Sequence, residues 1–183
     1  MRLGTCNEPS ASYFWSGIIA LAGLLCAAPA LAASLSAKDL QIMGKALGYL
    51  EPPPNGGVVA VVYAGNDAAS KSDAEDIVAN FGSGVKVGAN SVTAAAVAST
   101  ALNLGGPYVA IIVAAGAPSD GAMALAKARH IPCVSGIVAL VQSGNCIMSV
   151  ISEPKVSIII NHAAGEAAGI NFVPAFRLLI KEI

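Results

Sequence analysis

Charge is scarce in this sequence. Ten Lys and Arg stand against eleven Asp and Glu in 183 residues, and the formal net charge is −1. No basic cluster occurs, and nucleic-acid binding needs a concentrated positive surface to capture phosphates, so that class is excluded. From Val87 to Ser119 there is no charged side chain at all. Asn90, Thr93, Asn103, Gly105, Gly106 and Pro107 nevertheless cut that stretch into pieces too short to cross a bilayer, and it reads as buried α/β structure. Signatures of chemistry are missing as well. No Gly-x-Gly-x-x-Gly and no Walker pattern is present, which argues against a nucleotide cofactor, and no cofactor is expected. The two histidines follow no nucleophile motif, the acids are sparse, and Ser135 and Ser143, beside glycines, read as loop residues. Catalysis would want a nucleophile with its base, or paired carboxylates in a cleft. The chain is therefore expected not to be an enzyme.

Long apolar runs are also lacking. Gly17 to Ala28 is uninterrupted but only about a dozen residues long, where a bilayer span takes about twenty. It runs into Ala30, Leu31, Ala32, Ala33 and Ser34, a small-residue cleavage pattern. Residues 1–32 thus read as a secretory signal peptide, leaving 33–183 as one exported domain with no stable membrane insertion.

Of four cysteines, Cys6 and Cys26 leave with that signal, so Cys133 and Cys146 remain and invite one disulfide in an oxidising compartment. His130, Cys133, Cys146 and His162 offer an alternative, a two-His, two-Cys metal set with a His-x-x-Cys pair. The same sulfurs cannot serve both, and commoner roles at a helix end or on the surface account for the histidines. No metal is expected.

Ser36 with Asp39 caps a helix start, and Leu40, Met43, Leu47 and Leu50 recur at helical spacing, predicting a helix over Ala37–Leu50 that Pro52, Pro53 and Pro54 end. The Val-rich run Gly57–Tyr63 predicts a strand buried on both faces. Ser72 with Glu75 suggests a capping box for a second helix through Phe81. A short strand over Val85–Ala89 and an Ala-rich helix over Thr93–Leu102 follow. Tyr108–Val113 is a second buried strand, then a helix runs from Pro118 to Ala128 and a strand covers Ile131–Val134. Strands alternating with helices imply a parallel sheet. Cys146–Ile151 and Val156–Ile160 form an antiparallel hairpin, so the sheet ends mixed. Asn161 caps a short helix through Ala168, and Pro174–Glu182 is a last helix with Phe176, Leu179 and Ile180 inward. The fold class is α/β: one domain, a largely parallel mixed sheet flanked by helices, a C-terminal hairpin and a terminal helix.

Gly65, Asn66 and Asp67 follow the first buried strand, and Gly116 to Asp120 follow the other. Ligands in open α/β sheets sit beyond the carboxyl ends of strands, near a switch in strand order. Asn66, Asp67, Ser119 and Asp120 are therefore candidate lining residues of a small polar groove, with helix capping as the plainer role for the same side chains.

Asn161, His162, Ala163 and Ala164, then Ala168 and Gly169, then Phe176, Arg177, Leu178 and Leu179 make a distinctive closing cassette. Together with Ala46–Pro52 and Val58–Asp67, it resembles the YfiR-like periplasmic family. Gly65, Asn66 and Asp67 stand where that family often has an acidic pair followed by Pro-Phe-Gly, and its Trp before the proline is absent. The resemblance implies a non-enzymatic periplasmic signalling regulator. Its partner would be the periplasmic part of an inner-membrane protein, a diguanylate cyclase or sensor kinase, with cyclic-di-GMP signalling downstream and a homo-oligomer left open. The first helix and the Pro52–Pro54 corner are candidate contact surfaces. The alternative is a small-ligand binding module resembling one lobe of a solute-binding protein.

Overall fold

In the computed structural model, which describes residues 34–183, the two Val/Ile-rich runs are neighbouring strands at the heart of one sheet. The segment expected to be a signal peptide lies outside the described residues. In chain order the first elements are α1 (Ala37–Leu47), β1 (Gly57–Tyr63), α2 (Ala68–Phe81), β2 (Val85–Val87), β3 (Asn90–Ala98) and β4 (Tyr108–Val113). They are followed by α3 (Asp120–Arg129), β5 (Cys133–Ser135), α4 (Val138–Gln142), β6 (Met148–Ile151) and β7 (Ser157–Ile160). The chain closes with α5 (His162–Ala167), α6 (Pro174–Arg177) and β8 (Lys181–Glu182).

Among the described residues, all eight strands join one sheet in the order β2-β3-β1-β4-β5-β6-β7-β8. β3, β1, β4, β5 and β6 run parallel, whereas β2 pairs antiparallel with β3 and β7 antiparallel with β6. The mixed α/β class and the hairpin expected near the C-terminus are both present. Val59 to Val62 and Ala110 to Ile112 have no exposed surface. Burial of this kind, on both faces, is what makes a central parallel strand read as a continuous apolar run. Leu40, Met43 and Leu47 of α1 and Ile77 of α2 pack into the same core.

Three expectations are corrected. Thr93–Leu102 is not a helix. β3 pairs along all of β1, from Gly57↔Val92 to Tyr63↔Ala98, and the ladder overrides the helical preference of its alanines. The second helix starts before Ser72: Asp67 is its N-cap and its Oδ1 accepts from the N–H groups of Ala69 (2.9 Å) and Ser70 (3.3 Å). The terminal helix is one turn, α6, after which Lys181 and Glu182 add to the sheet parallel to β7. Phe176 is buried and stacks on Tyr49 with ring centroids 4.8 Å apart, while Leu179 is exposed and Ile180 half-buried. α4, between β5 and β6, was not foreseen.

Cys133 and Cys146 are joined by a disulfide, with their Cα atoms 4.9 Å apart. It closes the excursion that carries α4, at the points where β5 begins and β6 is about to begin. Replacing both cysteines by serine is expected to lower the unfolding free energy by about 2–4 kcal/mol, as for removal of a short-loop cross-link, measured by urea denaturation.

Gly44 of α1 sits directly against β2. A Cβ there would lie 2.4 Å from Val85 Cγ1 and 2.5 Å from the carbonyl oxygen of Lys86. Alanine is the better helix former, but the backbone carbonyl cannot step aside. Gly44→Ala is therefore expected to destabilise the fold by about 1–3 kcal/mol, read as a lower urea midpoint. A rise in the midpoint would contradict this contact.

Candidate functional site

The strand order fixes where a site can form. β1 leads through α2 and β2 to β3 on one side, whereas β4 leads through α3 to β5 on the other. The direction of winding therefore reverses between adjacent β1 and β4. Right-handed crossovers that lead in opposite directions put their helices on opposite faces, and the carboxyl ends of strands at such a reversal, where the two loops leave, are where open α/β sheets hold ligands.

The first loop is held from below by α2. Asp67 caps the helix, and buried Ser70 accepts from the N–H of Ala64 through its Oγ (3.1 Å). The second loop is tied to the same helix: Asp73 Oδ2 accepts from the N–H of Ala115 (2.7 Å). Gly116, at φ +72°, brings its backbone so close that a Cβ would stand 3.1 Å from Asp67 Oδ2. The two loops thus meet at Asp67 and Gly116. At the end of β5, Ser135 Oγ donates to the carbonyl of Val113 and accepts from the N–H of Ile137, both at 3.2 Å, locking the next turn to β4.

Of the four residues expected to line a groove, Asp67 is at this junction with its Oδ1 committed to capping. Asn66 and Asp120 are exposed. Ser119 is buried at the start of α3 and its hydroxyl makes no capping bond. A cavity of about 280 Å³ opens at the same edge of the sheet, past β5 and β6, and none of the four lines it. Its walls include Ser36 and Asp39 from the start of α1, Gly136 after β5, and Val150, Ser152 and Glu153 at the end of β6. Ser152 is buried. Asp39 Oδ2 accepts from the Ser36 N–H (2.8 Å) and Oγ (2.6 Å), completing a capping box, while Oδ1 is buried without a hydrogen-bond partner. The capping pair is readable in sequence. Its meeting with Ser152, more than a hundred residues on, is not.

The alternative metal set is dismantled by the disulfide, which takes both sulfurs. His130 ends α3 in the left-handed region (φ 54°) with Nδ1 2.9 Å from the carbonyl oxygen of Ala168. His162 instead faces Glu166 (3.2 Å) and Arg177 (3.1 Å).

Scanned against models of known protein families, the chain matches none. No curated protein matches it in sequence either. Solved structures are similar in fold. An ABC domain from Streptococcus pneumoniae in complex with L-Trp superposes with a TM-score of 0.54 at 13% identity, over 81% of this chain and 62% of that one. A conserved domain protein from Vibrio cholerae gives 0.53 at 16% identity, over 80% and 59%. The chain therefore spans about three-fifths of the length of each. At such identities the likeness is one of fold: a parallel α/β sheet.

Burial pushes the Asp39 carboxyl up, but hydrogen bonding by the Ser36 N–H and hydroxyl outweighs it and holds the group below its ordinary 3.8. A carboxyl depressed on folding contributes stability that is complete above its unfolded value and is lost as pH falls through the folded one. Asp39→Asn is accordingly expected to flatten the fall in stability below about pH 4, measured as urea midpoints across the acid range. An unchanged acid slope would refute the assignment.

Proposed function

We propose that this chain is a non-catalytic, exported module that binds a small ligand at the carboxyl edge of its sheet, in the manner of one lobe of a solute-binding protein. The observation that carries the reading is the reversal of winding between β1 and β4. It marks the carboxyl edge as the side on which such a sheet holds ligands, and the 280 Å³ cavity with Asp39 lies along that edge, past β5 and β6. Pockets at switch points are where open α/β sheets hold ligands. Export rests on the apolar segment Gly17–Ala28 and on the Cys133–Cys146 disulfide, since such bonds persist in oxidising compartments such as the periplasm. Among the described residues no helix is long and apolar enough to cross a membrane.

Amino acids are the first ligand class to test, because the similar streptococcal domain holds L-Trp. An ammonium group would find the Asp39 and Glu153 carboxylates in this cavity.

A second reading, the YfiR-like regulator, is favoured by the end of the chain. Leu178 and Leu179, inside the stretch that carries the resemblance, are 88% and 67% exposed. Apolar side chains kept in water this way suit a surface reserved for a protein partner. In that reading the partner is the periplasmic part of an inner-membrane cyclase or sensor kinase.

Thermal unfolding of the full chain with a panel of amino acids tests the first reading. At least one member at a hundredfold excess over its dissociation constant is expected to stabilise by about 2.7 kcal/mol. Glu153→Lys, which reverses a carboxylate lining the cavity from an exposed position, should reduce that shift. No shift with any member overturns the binding module. Capture of a membrane cyclase or kinase that Leu178→Ser with Leu179→Ser abolishes would then establish the second reading.

A further inference from the structure

A second lined cavity lies on the side of α1 that faces α2 and β2. One hollow of about 320 Å³ is bordered by Gln41 and Lys45 of α1, Asn80 and Phe81 of α2, and Val85 and Lys86 of β2. A second, of about 380 Å³, shares Lys45 and Lys86 and continues to Tyr49 and the glycines Gly48 and Gly88. The two hollows are thus one groove, with Lys45 and Lys86 lining both halves. It follows α1 for about 16 Å, from Ala37 to Gly48.

Three features distinguish this groove from ordinary solvated surface. Among the described residues no carboxylate lines either hollow. Among the described residues the ion pairs are Lys71–Glu75, His162–Glu166 and Arg177–Glu182, so neither Lys45 nor Lys86 has an acidic partner. Two like charges share a border in a chain whose net charge is slightly negative, an arrangement that an anion between them would relieve. The groove also has an apolar base: Phe81 and Val85 are buried side chains reached from it. The contact at Gly44 fixes its depth, because α1 and β2 there touch through backbone.

We infer that this groove binds an elongated organic monoanion, a carboxylate with an apolar body, its charge held between Lys45 and Lys86 and its body along Phe81, Val85 or Tyr49. The site is separate from the carboxyl-edge cavity and stands whether or not that cavity binds amino acids.

Isothermal titration of the full-length protein tests it, using decanoate below its micellar concentration, inorganic phosphate as a compact anion and decylammonium as the matched cation. Decanoate is expected to bind once per chain, more weakly as salt rises, and at least about fivefold more weakly in Lys45→Glu with Lys86→Glu. Both lysines are exposed, so the double variant should keep its melting temperature, and Glu153→Lys at the carboxyl-edge cavity should leave decanoate binding unchanged. The inference is overturned if decanoate does not bind, if the charge-reversed variant binds it as the parent does, or if phosphate or decylammonium binds equally well.

Discussion

Two strands that carry almost nothing polar govern the molecule. β1 and β4 bury Val59 to Val62 and Ala110 to Ile112 completely, and such a pair is stable only when both faces are covered and both edges are paired. β3 and β5 supply the pairing on either side, and α1, α2 and α3 contribute the apolar cover. Polar groups are consequently driven to the ends of the strands. The serines and carboxylates that organise the carboxyl edge, Asp67, Ser70, Asp73 and Ser135, all satisfy backbone groups of loops that leave or flank this pair.

How much of this could be read from residues alone depends on how local the cause is. Gly57–Tyr63 and Tyr108–Val113 are strands with the expected bounds because uninterrupted Val and Ile between turn residues leave little else. Asn161 as a cap is equally local, its Oδ1 accepting from the N–H of Ala164 at 2.9 Å. Thr93–Leu102 misleads because alanine favours a helix and the decisive partner, β1, lies more than thirty residues earlier. The end of the chain misleads similarly: Pro174 starts a helix as expected, but backbone bonds to Ile160 and His162 draw Ile183 alongside β7. For the candidate site, the switch-point loops were legible from the order of strong strands. Asp73 and the meeting of Asp39 with Ser152 were not, since a helical aspartate and a turn serine look ordinary until the fold brings their distant neighbours to them.

The comparisons bear on architecture alone. A parallel α/β sheet hosts many unrelated activities, and function resides in the particular side chains placed on it. Here those side chains belong to two regions with opposite character. The carboxyl edge has Asp39 and Glu153 around one cavity, and among the described residues the α1–β2 groove has Lys45 and Lys86 without a carboxylate.

One eleven-residue helix borders both regions. The first turn of α1 supplies Ser36 and Asp39 to one, and its later turns supply Gln41 and Lys45 to the other. Gly44 seats α1 against both the Val85 side chain and the Lys86 carbonyl of β2. An occupant at either end that shifted the seating of α1 would alter affinity at the far end, and thermodynamic reciprocity would make the two effects equal in size.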